Sequence, residues 1–206
     1  MDELLQGVIE GAYNKSIIEL VAVCFSVMYV LFASLGKVWC WPSAFISTSL
    51  FTYIMYEANL YLETLLYVYY VLMAIYGWYE WVWGGQRHQG VRVRSYNINR
   101  IVLITGISTG ISVLTGYFFA NYTDHSLPYL DAFTTIFALV TTWLVARKIL
   151  ENWLFWIVID AASVILFLNR DLYFTTGLYI FYTLIAVFGY LKWKQLMHQQ
   201  REPSYE

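Results

Sequence analysis

Apolar residues in this chain gather into seven long blocks, near 16–35, 39–56, 60–83, 101–120, 128–146, 153–168 and 173–193, with short polar stretches between them. Each block approaches the ~20 residues that a helix needs to cross the hydrocarbon of a bilayer. Backbone amides in hydrocarbon have to be satisfied within their own segment, so the blocks predict helices. The second and sixth are the shortest, and both carry Trp with Ser, Thr or Asp. Segments of that kind pack around a cavity instead of facing lipid on all sides. The pattern predicts an all-α integral membrane protein with seven transmembrane helices. In order, it contains an N-terminal segment outside the membrane (1–15), three helices (16–83), a polar loop (84–99), a single helix (100–120), three further helices (128–193) and a tail (194–206).

Composition agrees: 60% of the 206 residues are apolar and only 13% are charged, which makes the lipid bilayer the first partner. Nucleic acid is not among the expected partners. The first fifteen residues are acidic and polar, with Lys15 their one basic residue, so they do not resemble a signal peptide and the first helix is expected to be retained. Cys24 and Cys40 lie in or beside apolar blocks, while His88, His125 and His198 fall in loops or the tail. No spacing among them makes a metal site, a disulfide framework or a catalytic pair, so no enzyme activity, metal or cofactor is expected.

Charge placement predicts orientation. Lys37, Arg87, Arg92, Arg94, Arg100, Arg147, Lys148, Lys192, Lys194 and Arg201 fall on one side of the seven spans, against Lys15 and Arg170 on the other. The positive-inside rule then puts the N-terminus outside, the C-terminus inside and loop 84–99 in the cytoplasm. The run Gly84-Gly85-Gln86-Arg87-His88-Gln89-Gly90 fits no phosphate-loop spacing and reads as a solvated basic linker.

The chain also repeats itself. A shift of 112 residues lays Trp41 on Trp153, Thr48 on Asp160, Leu60-Tyr61 on Leu172-Tyr173, Tyr67 on Tyr179, Tyr70 on Tyr182, Gly77 on Gly189 and Trp81 on Trp193. Two three-helix bundles joined by one helix follow. Because the joining helix is single, both bundles enter the membrane in the same direction, a parallel repeat that places a substrate near the midplane between the halves.

Most carboxylates of the apolar blocks stand close to an end. Glu57, Glu80 and Glu151 reach headgroups or water, Glu19 lies within a turn of its helix start, and Glu63 gains from a helix dipole in an opening turn. Asp131 also sits in an opening turn, after Pro128, where capping competes with a site role. Asp160 is the deepest. A charge there costs at least ~2.5 kcal/mol, so it is expected to face a partner, a cavity or a substrate. Asn152, Trp156 and Asp160 recur at i, i+4 and i+8, with Trp153 beside them. An amide, two indoles and a carboxylate on one stripe suit a flat, cationic, aromatic ligand. Belt tryptophans and a carboxylate paired inside the bundle are the plainer alternative. One deep carboxylate favours facilitated diffusion over ion-coupled transport.

Three segments, Tyr76-Gly77-Trp78-Tyr79-Glu80-Trp81, Arg147-Lys148 and Glu151-Asn152-Trp153-Leu154-Phe155-Trp156, resemble the PnuC family of vitamin and nicotinamide riboside transporters, and the resemblance spans nearly the whole chain. It implies a 3+1+3 helix arrangement like that of the SWEET sugar transporters. It also implies uptake across the bacterial cytoplasmic (inner) membrane by facilitated diffusion, with a cytoplasmic kinase phosphorylating the imported vitamin to trap it. Carried over residue by residue, it makes Trp153, Trp156 and Asp160 the substrate contacts of the sixth helix and Trp41 and Thr48 the lining of the second. Two candidate contacts depart from the nicotinamide riboside pattern: Tyr67 stands where a glutamine is common, and Asp160 where an asparagine is common. An aspartate also suits the aminopyrimidine and thiazolium of thiamine, so nicotinamide riboside comes first and thiamine next. A SWEET-like sugar carrier, a membrane-embedded enzyme and a scaffold without a substrate are the readings of other classes. Homo-oligomerisation stays open.

Overall fold

The blocks fold as α1 (Asp2–Ser34), α2 (Cys40–Glu57), α3 (Tyr61–Trp83), α4 (Ile98–Tyr122), α5 (Pro128–Ala146), α6 (Asn152–Leu168) and α7 (Tyr173–Gln199). The computed structural model describes residues 2–85, 88–122, 127–169 and 173–200, with side chains from Ile17 onward apart from residue 174. Arg87, His125, Arg170, Leu172 and Arg201 from the sequence reading lie outside the described residues, as does the end of the tail. Among the described residues there is no strand; Arg94 and Ile149 form an isolated bridge.

Several helices overrun their apolar blocks, for local reasons. The α1 helix starts at Asp2, well ahead of its apolar block. The α4 helix starts at Ile98 because the Asn97 side chain caps it, accepting a hydrogen bond from the Arg100 backbone N–H at 3.1 Å. The α7 helix continues to Gln199, with Trp193 and Met197, one turn apart, both buried. By length and apolarity alone, Ile17–Ser34, Ile98–Tyr122 and Pro128–Ala146 qualify as membrane spans, while Asn152–Leu168 is apolar but shorter. The α3 helix falls short of that measure because six tyrosines and three tryptophans lower its hydropathy without making it hydrophilic.

The chain forms two compact units, residues 1–79 and 80–206, with the boundary inside α3. In the first, α1 packs on α2, and the Ser47 hydroxyl crosses between them to donate to the Ala22 carbonyl at 2.8 Å. In the second, α5 packs against α4 and α6, and α6 against α7. Ser108, Ser112 and Gly116 form the buried stripe of α4. Small residues at i, i+4 and i+8 let it approach α5 closely, and a methyl at Gly116 would come within 2.6 Å of the Tyr129 ring.

The 112-residue repeat is present in the backbone as well as in the letters. The α2 and α6 helices begin at Cys40 and Asn152, α3 and α7 begin at Tyr61 and Tyr173, and α1 and α5 end at Ser34 and Ala146. The connections after α1 and α5 share one geometry. Gly36 N–H donates to Ala33 O and Lys37 N–H to Phe32 O; Lys148 N–H donates to Val145 O and Ile149 N–H to Leu144 O, all at 2.9–3.0 Å. This pair of bonds is the Schellman ending of a helix, which needs a left-handed residue just past the cap. Gly36 supplies it in the first copy at φ 71°, and Lys148 in the second at φ 50°. A left-handed lysine costs on the order of 1 kcal/mol. Its ammonium, 4.3 Å from the centre of the Trp81 ring, gains a cation–π contact in return.

Each turn then presents a tryptophan to a glycine. Trp41 lies 1% exposed with its indole against Gly77, and Trp153 lies 2% exposed against Gly189. A methyl on Gly77 would overlap the Trp41 ring, and one on Gly189 would stand 2.7 Å from Trp153. We therefore expect Gly77→Ala and Gly189→Ala each to destabilise the protein by about 1–3 kcal/mol through overpacking. Gly106→Ala and Gly110→Ala, whose added methyls meet nothing within 4 Å, should be neutral or gain ~0.5–1 kcal/mol from helix propensity. Thermal unfolding of the four variants in one detergent checks this. Equal melting temperatures across them would refute the wedge.

Candidate functional site

The α6 helix carries four of the eight candidate residues, and Trp153 sets its rotation. The Trp153 indole lies on Gly189 and meets Trp193 edge to face, with ring centres 5.4 Å apart at 88°. Seven residues on, about two turns, Asp160 returns to nearly the same line of the helix. The buried face of α6 accordingly contains Asn152, Trp153, Ile159, Asp160, Ser163 and Leu166, while Trp156 is partly buried. The structure thus brings together the four α6 residues expected from sequence and turns them inward.

Their polar atoms are unevenly satisfied. The Asn152 amide donates to the Ile149 carbonyl at 2.6 Å, which ties its nitrogen to the turn and leaves Oδ1 without a donor among the described residues. The Trp153 indole N–H is buried with no acceptor among them, and the Thr141 hydroxyl of α5 and the Ser112 hydroxyl of α4 are likewise unanswered. Each such group costs about 1–3 kcal/mol if it stays unpaired. Asp160 is 4% exposed and lies near the middle of the 17-residue α6, about 12 Å along the axis from its start. Because Trp153 spends its ring on packing, what it retains for a ligand is the N–H. The less buried Trp156 keeps ring surface.

The other candidates are placed differently. Asp131 lies in the first turn of α5, about four turns from the α5–α6 connection, at the opposite end from Asn152 and Trp153. In the first unit, Trp41 forms the wedge on Gly77 and tilts against Tyr29 at 6.1 Å. The Thr48 hydroxyl donates back to the Ala44 carbonyl at 2.8 Å, so its hydrogen is taken by its own helix. Tyr67 stacks on Phe51 with centres 5.1 Å apart and meets Tyr70 edge to face. Its counterpart Tyr179 also stacks on a phenylalanine, Phe167 at 5.0 Å, and meets Tyr182 edge to face, although Phe51 and Phe167 do not stand 112 residues apart.

Sequence reasoning missed Ser163, although it falls three residues beyond Asp160 on the same face and the helical period extends to it. It also missed Thr141 and Ser112, which carry no signal in an apolar run because threonine and serine are tolerated anywhere in a membrane helix.

Beyond the run 84–90, the linker is held in place. Arg94 N–H donates to Lys148 O at 3.0 Å and Leu150 N–H to Arg94 O at 2.9 Å, which straps the linker to the α5–α6 turn. Val93, one residue before the strap, is buried. The Glu151 carboxylate accepts from the Ser95 hydroxyl and from Tyr96 N–H, and Glu80 pairs with Arg147 at 3.2 Å. Trp81 donates its indole N–H to the Val145 and Ala146 carbonyls, satisfying the end of α5. Glu80 and Glu151, read from sequence as reaching headgroups or water, instead hold this end of the second unit together. A polar loop is held because the helix-end carbonyls and the acids beside them need donors.

The chain is 27% identical over 208 residues to the nicotinamide riboside transporter PnuC of Escherichia coli (strain K12), covering 89% of this chain and 87% of that one. It is 25% identical over 196 residues to the protein of the same name from Neisseria mucosa, covering 86% and 72%. A riboflavin/roseoflavin transporter, RibM of Streptomyces davaonensis, is 25% identical over 139 residues, covering 65% and 64%. The crystal structure of a vitamin B3 transporter PnuC superimposes with a TM-score of 0.70 at 23% identity, covering 95% of this chain and 88% of that one, and it shares the fold. The sequence profile described as Nicotinamide mononucleotide transporter matches residues 16–195, and the chain belongs to that family, the PnuC family of membrane transporters.

Proposed function

We propose that the chain carries nicotinamide riboside across the bacterial cytoplasmic membrane by facilitated diffusion. The inward stripe of α6 carries the reading: an unanswered amide oxygen, an unanswered indole N–H and a buried carboxylate stand on one face beside a partly buried indole. Nicotinamide riboside offers the complement to each. Its carboxamide both donates and accepts, its ribose hydroxyls do the same, and its pyridinium ring carries the positive charge that a mid-membrane carboxylate needs. In this reading Trp156 stacks on the ring, Asn152 Oδ1 and the Trp153 N–H fix the carboxamide or ribose, and Asp160 answers the charge. Trp41, Thr48, Tyr67 and Asp131 are given no part in it. The two relatives named for nicotinamide riboside favour this vitamin, and thiamine is not carried forward.

The helices are arranged as two parallel three-helix bundles, α1–α3 and α5–α7, joined by α4, and the shared turn geometry 112 residues apart supports this. The N-terminus lies outside and the C-terminus inside, an orientation that the placement of ten of the twelve basic residues favours. With one deep carboxylate and no second one beside it on α6, the carrier needs no ion, and a cytoplasmic kinase completes uptake by trapping the product.

Three outcomes follow. A reporter fused after Glu206 should be active only in the cytoplasm and one inserted at Asp124 only outside; the reverse pattern would overturn the orientation. In sealed vesicles without a kinase, uptake should stop when inside and outside concentrations match, and accumulation driven by a proton or sodium gradient would contradict facilitated diffusion. In a binding titration, Trp156→Ala should cost about 1–3 kcal/mol, as loss of an aromatic platform does, or roughly 5- to 150-fold in affinity. Asp160→Asn keeps the shape and should cost less than about tenfold, while Asp160→Ala should cost more. Parental affinity in both alanine variants would reject the α6 site.

A further inference from the structure

We propose that the start of α4 binds one anionic phospholipid, with its phosphate between Arg94 and Arg100 and an acyl chain along the exposed face of α4. Both guanidinium carbons lie over the same ring, Tyr96, at 5.9 and 5.4 Å from its centre. Two like charges gathered on one ring repel each other unless an anion joins them. Among the described residues none does: the ion pair of this region is Glu80 with Arg147, and both oxygens of Glu151 are engaged by Ser95 and Tyr96. Arg92, Arg94 and Arg100 are all exposed.

The site is held in shape before any ligand arrives. Arg94 is fixed by backbone bonds on both sides, to Lys148 O and from Leu150 N–H, and Tyr96 is held through Glu151. Preorganisation of this kind lowers the cost of binding. Arg100 stands in the first turn of α4, whose dipole adds positive potential. On either side of it along the helix, Ile98, Val102 and Leu103 are each more than 60% exposed, so the helix offers hydrocarbon contact beside the charges. A phosphate at the arginines and an acyl chain on this face are the two parts of one lipid. An anionic headgroup is favoured because the ammonium of a zwitterionic one would be repelled by the same arginines. The inference needs the chain to lie in a bilayer and does not depend on what it transports.

The test uses the full-length protein in mixed micelles holding equal phosphatidylglycerol and phosphatidylcholine, read by native mass spectrometry and by thermal unfolding. The parent should retain phosphatidylglycerol in preference to phosphatidylcholine and melt higher with it. Arg94→Gln with Arg100→Gln should abolish both differences, whereas Lys192→Gln with Lys194→Gln should keep them. No headgroup preference in the parent would overturn the proposal, and so would a preference that survives in the arginine double variant. If that variant does not fold, the single Arg100→Gln variant is measured in its place, with the preference expected to fall. An undiminished preference there would equally overturn the proposal.

Discussion

Helices in a bilayer have little hydrophobic reason to associate, because lipid tails are as apolar as leucine. What can hold them is close packing, and in this protein one close approach is made twice, an indole laid on a glycine, by Trp41 on Gly77 and again by Trp153 on Gly189. Each tryptophan is delivered by the same device, a helix ended by a left-handed residue, Gly36 or Lys148, and restarted within four residues. The turn fixes where the next helix begins. The wedge fixes how that helix is rotated.

Rotation is what makes α6 a candidate site. With Trp153 committed to α7, Asn152 and Asp160 are carried inward, and polar atoms that hydrocarbon would penalise are left for something polar to answer. The α5–α6 turn is braced from outside by the Arg94 bridge, the Glu80–Arg147 pair and the Trp81 indole on the last α5 carbonyls. Packing, bracing and the unsatisfied stripe therefore converge on one turn. The family assignment is consistent with this, since the profile covers residues 16–195 and so includes both wedges.

Much of this was legible in the letters. Seven apolar blocks became seven helices because hydrocarbon leaves the backbone no other way to satisfy itself, and α2 and α6 are the shortest, at 18 and 17 residues. The pairings Trp41 with Trp153 and Gly77 with Gly189 were visible as a shift, but that each tryptophan touches its glycine was not, since contact depends on helix rotation. Asp160 announced itself because carboxylates are costly at depth, whereas Thr141 and Ser112 did not because hydroxyls are cheap there. Helix ends were least legible: a hydropathy pattern stops at the last apolar residue, while α4 starts where Asn97 caps it and α7 runs on while Met197 still packs. How the stretch after Gly90 is held was not legible for a related reason, because composition records its arginines and not the backbone bonds that strap it down.

The central claim is that the inward face of α6 is where the vitamin binds. Its most direct test is a structure determined with nicotinamide riboside bound. The pyridinium ring is predicted to lie at stacking distance from Trp156, with Asn152 Oδ1 or the Trp153 N–H within hydrogen-bond reach of the carboxamide or ribose. A vitamin bound elsewhere, with the α6 stripe still closed on itself, would contradict it.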